Sequence, residues 1–183
     1  IPFDEQKDKN KRFTDRTINE IAKATVELAK VKTGALIIIE KDIILSEYER
    51  TGINIDSAIS SQLLINIFEH NTPLHDGAVI VRGNRIVAAT CYLPLSDNLG
   101  LSKELGTRHR AGVGISEVSD SLTIIVSEET GKISVATGGK LLRNIDGELL
   151  KKKMMEIQGN PVEDKKKHFS FNLKARGSVE KKQ

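Results

Sequence analysis

The sequence predicts an α/β fold, a central mixed β-sheet flanked by helices. Two observations lead there. The run Ala35-Leu36-Ile37-Ile38-Ile39 is apolar at every position, as a strand buried on both faces requires, and it marks the centre of a sheet. Around it, segments with helical apolar spacing are interleaved with strand and hairpin patterns. With 183 residues and 38% apolar content, the chain holds one ordinary domain plus appendages. Aromatic residues make up only 4%, so Leu, Ile and Val must build the core.

Residues 1–14 are charged and aperiodic and read as a linker, which leaves a folded domain over 15–157 and a basic, flexible tail over 158–183. Asp15 is the expected N-cap of a helix whose apolar positions are Ile18, Ile21, Ala22, Thr25, Leu28 and Ala29, and Gly34 is expected to end it. After the central strand, 43–48 and 53–55 are expected as short strands around the turn-prone Thr51-Gly52. Ser60 or Ser61 caps a helix carrying Leu63, Leu64, Ile67 and Phe68, which ends near His70-Asn71 before Pro73. Residues 78–82, the turn Gly83-Asn84 and residues 85–93 read as a hairpin; a two-residue loop then sets Asp76 opposite Cys91 and His75 opposite Tyr92. A polar loop over 94–103 leads into a helix over 104–119, despite Gly112 and Gly114. Residues 122–127 and 132–136 form a second hairpin around 128–131, and Asp146 caps a last helix through Ile157.

The net charge of +3 belongs to the tail: from Gln158 onward seven basic residues face three acidic ones, leaving the rest of the chain at −1. That distribution gives no support to a broad nucleic-acid surface on the folded part. Cys91 is the only cysteine, so no internal disulfide forms, and without Cys/His spacing of zinc type the composition suits a reducing compartment such as the cytosol. No run of eighteen apolar residues and no signal-peptide pattern occurs. A start at Ile1 rather than Met is what an excised soluble fragment would show.

Three groups of residues carry candidate chemistry. Gly106-Thr107 opening a helix before Arg108-His109-Arg110 offers unpaired N–H groups, a hydroxyl and two guanidiniums, an anion site suited to phosphate. Positions i and i+2 lie about 200° apart on a helix, so both arginines face one ligand only if the turn is irregular; otherwise one is structural, solvated or ion-paired. His75-Asp76 at a strand entrance suits a divalent metal, or a carboxylate that orients and deprotonates a hydroxyl, with Gly77 letting the backbone approach a ligand; the plain alternative is an Asp-Gly turn beside a solvated histidine. Ser127-Glu128-Glu129 is the third group. Strand alternation turns the two glutamates opposite ways, so Glu128 is left out of the site, unless all three simply form a charged turn. Tyr92 and Leu93 either sandwich a flat base or belong to the core, and Cys91 reads as a packing residue. No P-loop, G-x-S-x-G elbow or zinc motif is present.

Asp76-Gly77-Ala78, then Gly106-Thr107-Arg108-His109-Arg110, then Ser127-Glu128-Glu129-Thr130-Gly131, in that order, resemble the diadenylate cyclase (DAC) domain family, which condenses two ATP molecules into cyclic di-AMP. The similarity runs from about Ala35 to the end of the last helix and makes 15–157 a single DAC domain. The chain looks like the membrane-anchored type, implying a cytoplasmic catalytic domain of a bacterial membrane protein whose anchoring helices are missing here, with the helix from Asp15 as connector. The DNA-scanning relatives carry helical DNA-binding domains after the cyclase domain; after Ile157 there is room for none, so DNA is not an expected partner.

The resemblance implies roles as well. Asp76 acts near the attacking 3′-hydroxyl, directly or through metal, and Gly77 lets the nucleotide approach. His75, Asp76 and Glu129 hold a divalent metal, expected to be manganese, magnesium or cobalt. Thr107, Arg108, His109 and Arg110 bind the triphosphate, His109 orienting its neighbours rather than acting as a base. Ser127 and Glu129 contact phosphate or metal, and Leu36, Tyr92 and Leu93 line the adenine pocket. One ATP per subunit and a two-fold symmetric product imply a catalytic homodimer, transient or helped by nucleotide or membrane tethering. A membrane-bound regulator and the phosphoglucosamine mutase of cell-wall synthesis are the modulators that the resemblance suggests. Two other classes compete: a non-catalytic adenine-nucleotide receptor, against which the charge of Asp76 argues, and a protein- or nucleic-acid-binding module centred on the basic tail.

Overall fold

The computed structural model describes residues 11–98 and 100–159. Helix α1 (Asp15–Lys30) is capped by Thr14, one residue before the expected Asp15: the Thr14 hydroxyl accepts from Thr17 N at 3.3 Å. Asp15 instead occupies the first turn, where a carboxylate suits the helix dipole. The apolar stripe holds as expected, with Ile18, Ile21, Ala22, Thr25 and Leu28 buried. Gly34 does not end the helix. Lys32 adopts the left-handed conformation at φ 53°, and Thr33 N donates back to Leu28 O at 2.9 Å.

Strand β1 (Ala35–Ile39) is buried at all five positions and lies at the middle of the sheet. The others are β2 (Ile53–Ala58), β3 (Ala78–Arg82), β4 (Arg85–Cys91), β5 (Leu122–Val126), β6 (Ile133–Thr137) and β7 (Lys140–Ile145), in the order β2-β4-β3-β1-β5-β6-β7. β1 and β3 pair in parallel and every other neighbouring pair is antiparallel, so the sheet is mixed.

Three departures from expectation have local causes. Residues 43–48 form a loop and the short helix α2 (Ser46–Glu49), because their N–H groups go to carboxylates: Asp120 accepts from Asp42 N and Ile43 N at 3.0 Å, and Glu40 accepts from Leu45 N at 2.9 Å. β7 was not expected at all. Gly138 and Gly139 take φ of 56° and 79° in a two-residue turn between paired Thr137 and Lys140. In the first hairpin, Val81 pairs with Ile86 as expected, but irregularities shift the ladder until Ala78 faces Cys91, with Thr90 at φ 55°. Asp76 therefore does not lie opposite Cys91, nor His75 opposite Tyr92.

The alternation of β1 divides the core. Ala35, Ile37 and Ile39 join the apolar cluster beneath α1, α3 (Ser61–Ile67, capped by Ser60) and α5 (Gly147–Gln158, capped by Asp146). Leu36 and Ile38 join the cluster under α4 (Thr107–Val118). Phe13 is 2% exposed in the first cluster, and Gln158 Nε2 donates to its carbonyl at 3.0 Å. Packing thus takes in residues at the inner ends of the expected linker and tail; residues 1–10 and 160–183 lie outside the described residues.

α4 can lie this close only because two positions lack side chains. A Cβ at Gly112 would stand 2.8 Å from Ile125 Cδ1, and one at Gly114 would overlap the Pro94 carbonyl oxygen. The 94–96 strap is tied across the helix by Ser96 N donating to Arg110 O at 2.9 Å and by the Ser96 hydroxyl on Glu117. Intrinsic propensity favours alanine over glycine in a helix by about 1 kcal/mol, but overpacking costs about 1–3 kcal/mol. Gly114→Ala is therefore expected to lower stability in urea unfolding, and an equal or higher midpoint would contradict this packing.

Candidate active site

The strand directions gather the candidate residues at one edge of the sheet. Ile37 faces Val79 in parallel register, and Ala35 faces Val126 in antiparallel register. The start of β1, the start of β3 with Asp76-Gly77, and the end of β5 with Ser127 therefore emerge together. Asp76-Gly77 and Ser127 are each one strand from β1, about 10 Å apart by strand spacing. Antiparallel pairing brings Tyr92 after β4 and Arg143-Asn144 at the end of β7 to the same edge.

A cavity of about 660 Å³ opens there between the start of α4, the β5–β6 turn and β7; Thr107, Arg108, His109, Ser127, Glu128 and Glu129 line it. The turn is shaped by Ser127, whose hydroxyl accepts from Glu129 N and Thr130 N, both at 3.2 Å. Arg108 lies across Gly34, where any Cβ would overlap its Nη1, and that Nη1 stands 3.3 Å from Glu128 Oε2. Its Nε is buried with no hydrogen-bond partner. A buried N–H left unsatisfied is costly, and in a cavity wall it suits a ligand oxygen.

α4 is regular from Thr107, Arg108 lines the cavity and Arg110 is not among the lining residues. Between them His109 is 9% exposed. Burial, then the charges of Arg143 and Arg108, hold its pKa below the ordinary imidazole value, so it is neutral near pH 7, as an orienting group would be. Glu128, excluded by alternation, does reach the cavity. β5 ends at Val126, so period-two reasoning stops before position 128, and the turn carries its carboxylate to Arg108.

At the neighbouring strand, Gly77 has φ 84°, and a Cβ there would come within 2.9 Å of the Thr90 carbonyl carbon. Asp76 is exposed, its Oδ1 accepting only from Gly77 N at 3.1 Å. His75 Nδ1 lies 2.6 Å from Thr72 O, which assigns the proton to Nδ1 and leaves Nε2 as an acceptor. Leu36 is 3% exposed, and Leu93 packs against the same cluster, whereas Tyr92 is 75% exposed although its backbone N donates to Thr51 Oγ1 at 2.8 Å.

Two sets result. Thr107, Arg108, His109, Ser127 and Glu129 share the cavity, while Leu36, His75, Asp76, Gly77, Tyr92 and Leu93 lie along the same edge outside its lining. His75, Asp76 and Glu129 do not close into one donor set: among the described residues no group of three or more His, Cys, Asp or Glu is placed to hold a metal. His75 Nε2 and the Asp76 carboxylate fit a cation that takes its remaining ligands from phosphate and water, as magnesium usually does. Lys132, Arg143 and Asn144 line the cavity as well, and sequence reasoning missed all three.

Neutral His109 links stability to pH. Below about 6.5 the unfolded chain binds more protons at this imidazole than the folded one, so its contribution is lost as pH falls from that value toward the lower folded pKa. His109→Asn should flatten the acid-side decline of urea stability; an unaltered decline between about pH 7 and pH 5 would show that His109 does not cause it.

Comparison with known proteins identifies the family. Residues 22–141 match the family described as DisA bacterial checkpoint controller nucleotide-binding, DAC. The cyclic di-AMP synthase CdaA of Bacillus subtilis is 59% identical over 143 residues, which cover 78% of this chain and 52% of that protein. A diadenylate cyclase of Listeria monocytogenes is 58% identical over 139 residues, covering 76% of this chain and 51% of the other. The chain thus spans about half the length of the curated relatives it matches. A double mutant of DacA from Staphylococcus aureus superposes with a TM-score of 0.77 at 53% identity, covering 79% of this chain and 96% of that one. A hypothetical membrane spanning protein from Bacillus cereus gives 0.69 at 42% identity, over 73% and 65% of the two chains. No helix among the described residues is long and apolar enough to cross a membrane. With its motifs on one sheet edge and the match extending over most of its length, this chain belongs to the DAC family.

Proposed function

We propose that this domain joins two ATP molecules into cyclic di-AMP with release of two pyrophosphates, the activity for which its relatives are named. The observation that carries the reading is the buried, unpartnered Nε of Arg108 in a cavity wall, on the same sheet edge as Asp76-Gly77. The triphosphate occupies the cavity, met by Arg108, the N–H groups at Thr107 and the Ser127–Glu129 turn. The nucleoside lies toward Gly77, with its base against the exposed ring of Tyr92 and the edges of Leu36 and Leu93.

The 3′-oxygen of one ATP forms a bond to the α-phosphorus of the other, and the bond from that phosphorus to the bridging oxygen breaks, so pyrophosphate leaves. A second attack with roles exchanged closes the ring. Asp76 orients the 3′-hydroxyl and receives its proton directly or through water. His75 and Asp76 would hold a divalent cation, which would supply charge stabilisation for the developing negative charge on the 3′-oxygen and the phosphate oxygens. Manganese, magnesium and cobalt all suit such a site, with Glu129 bordering the phosphates from the β5–β6 turn. His109 stays neutral and positions Arg108, and Arg110 supports the helix through its backbone.

Since each domain presents one site and the product is two-fold symmetric, the working form is two copies face to face. We place the domain on the cytoplasmic side of a bacterial membrane, in the anchored arrangement, where tethering raises the effective concentration of the second copy. A membrane-bound regulator and phosphoglucosamine mutase then act on this encounter.

Three outcomes follow. Incubation with ATP and manganese should yield cyclic di-AMP and pyrophosphate on chromatography, while Asp76→Asn retains ATP binding and loses about a hundredfold or more in turnover. An ATP-binding wild type that makes neither product would be a receptor, and an Asp76→Asn variant with normal turnover would remove the carboxylate from the mechanism. Turnover per molecule should also fall on dilution and recover when a tagged domain is crowded onto vesicles; a constant value deep into the nanomolar range would rule out the transient dimer.

A further inference from the structure

We infer that Arg143 is a second phosphate-binding arginine, gripping the end of the polyphosphate that departs as pyrophosphate. This rests on the reading that the cavity holds a nucleoside polyphosphate, and it adds a residue that no motif at the site contains.

The fold has been bent to put Arg143 there. In a regular edge strand, residues 143 and 144 would point to opposite faces. Here the β6–β7 ladder shifts register between Ile133 and Val135, and Asn144 takes φ 56°, a conformation that asparagine tolerates and most residues avoid. The irregularity lets both Arg143 and Asn144 line the cavity.

Charges of both signs line the cavity, Arg108, Lys132 and Arg143 with Glu104, Glu128 and Glu129, and of these Glu128 is engaged by Arg108. Arg143 is exposed and makes no side-chain hydrogen bond or ion pair among the described residues, although carboxylates share its cavity. Across the space, Arg108 keeps a buried Nε without a partner. Two guanidiniums bordering one cavity repel each other unless an anion stands between them, and a doubly or triply charged phosphate chain satisfies both as bidentate partners. The charge of Arg143 also reaches His109, consistent with its facing the interior of the site.

Position along the sheet says which phosphates these are. β7 is four strands from β3, about 20 Å by strand spacing. With the nucleoside near Gly77 and Tyr92, a residue at the end of β7 meets the far end of an extended triphosphate, while Arg108 meets its middle.

Titration calorimetry of the whole chain with inorganic pyrophosphate, ATP and AMP, at two salt concentrations, tests this. Arg143→Gln should weaken pyrophosphate and ATP by about tenfold, leave AMP within about twofold and reduce the salt dependence of pyrophosphate binding, with Arg143→Lys intermediate. The thermal midpoint of each variant serves as the folding control, and Arg143→Lys decides if the glutamine variant does not fold. Unchanged pyrophosphate affinity in the variant, equal losses for AMP and ATP, or no pyrophosphate binding by the wild type would each overturn the assignment. Failure of the cyclase reading looks different: ATP would give no cyclic di-AMP, yet the selective loss of pyrophosphate binding would persist.

Discussion

The site depends on one constraint, the parallel pairing of β1 with β3 beside the antiparallel pairing of β1 with β5. Parallel strands cannot be joined by a tight turn, so the chain between them must cross over and return to the edge from which β1 began. Residues 40–77 make that crossing, through α2, β2 and α3. Its consequence is that Asp76-Gly77 emerges beside Gly34-Ala35 rather than at the opposite edge. Antiparallel β5 then delivers Ser127 to the same place. Register matters as much as direction, because a one-residue slip of β1 would exchange the faces of Leu36 and Ile37 and move Gly34 from beneath Arg108.

The two ends of these strands treat charge in opposite ways. Beyond the ends of β1 and β3, Glu40 is 6% exposed and fully engaged: Arg82 Nε and Nη2 donate to its two oxygens at 2.8 and 2.9 Å, and Leu45 N donates at 2.9 Å. Glu49 takes a further bond from Arg82 at 2.7 Å, and Asp120 closes the adjoining loop through two backbone N–H groups. The buried charge of Glu40 is tolerated because both of its oxygens have partners. At the other end Asp76 bonds only its own neighbour's N–H, Arg108 Nε bonds nothing and Arg143 is unpaired among the described residues. Rigidity at one end supports polar groups left unsatisfied at the other, the arrangement a ligand requires.

Which parts were legible in the sequence follows from which signals are local. The all-apolar run of β1, the stripe of α1, the Asp146 cap and the 122–136 hairpin are local patterns and were read correctly. β7 was not, because its residues are mostly exposed and show no alternation; only Gly138-Gly139 announced it, and with it Arg143 went unseen. The Asp76–Cys91 pairing failed because irregularities in a ladder leave no mark on a two-residue turn. The 43–48 strand failed because Asp120, more than seventy residues away, takes up the N–H of Ile43, and Glu40 takes up that of Leu45. Glu128 failed for a subtler reason: alternation is valid only while the strand lasts, and β5 ends at Val126. The arginine motif was recognisable, but which arginine served the cavity depended on α4 being regular and pressed onto β5 by Gly112 and Gly114.

That close packing also bears on the proposed encounter of two copies. α4, the Ser127–Thr130 turn and β7 enclose the cavity, the phosphate end on the proposed reading, but nothing among the described residues encloses the Gly77–Tyr92 end, where Asp76 is exposed and Tyr92 is 75% exposed. A carboxylate in water gains little by accepting a proton from an alcohol, since the high dielectric screens the charge that would favour the alkoxide. Tyr92 nonetheless has a fixed backbone, and Gly77 packs against Thr90 with no room for a side chain, so the open end is shaped rather than loose. A shaped, exposed edge that presents one nucleotide's hydroxyl and α-phosphate side is completed, on the proposed reading, by the same edge of a second copy. Closing the two together removes water from Asp76 and sets each hydroxyl against the other's α-phosphorus, so the step that orders the reactants is also the step that makes the carboxylate effective.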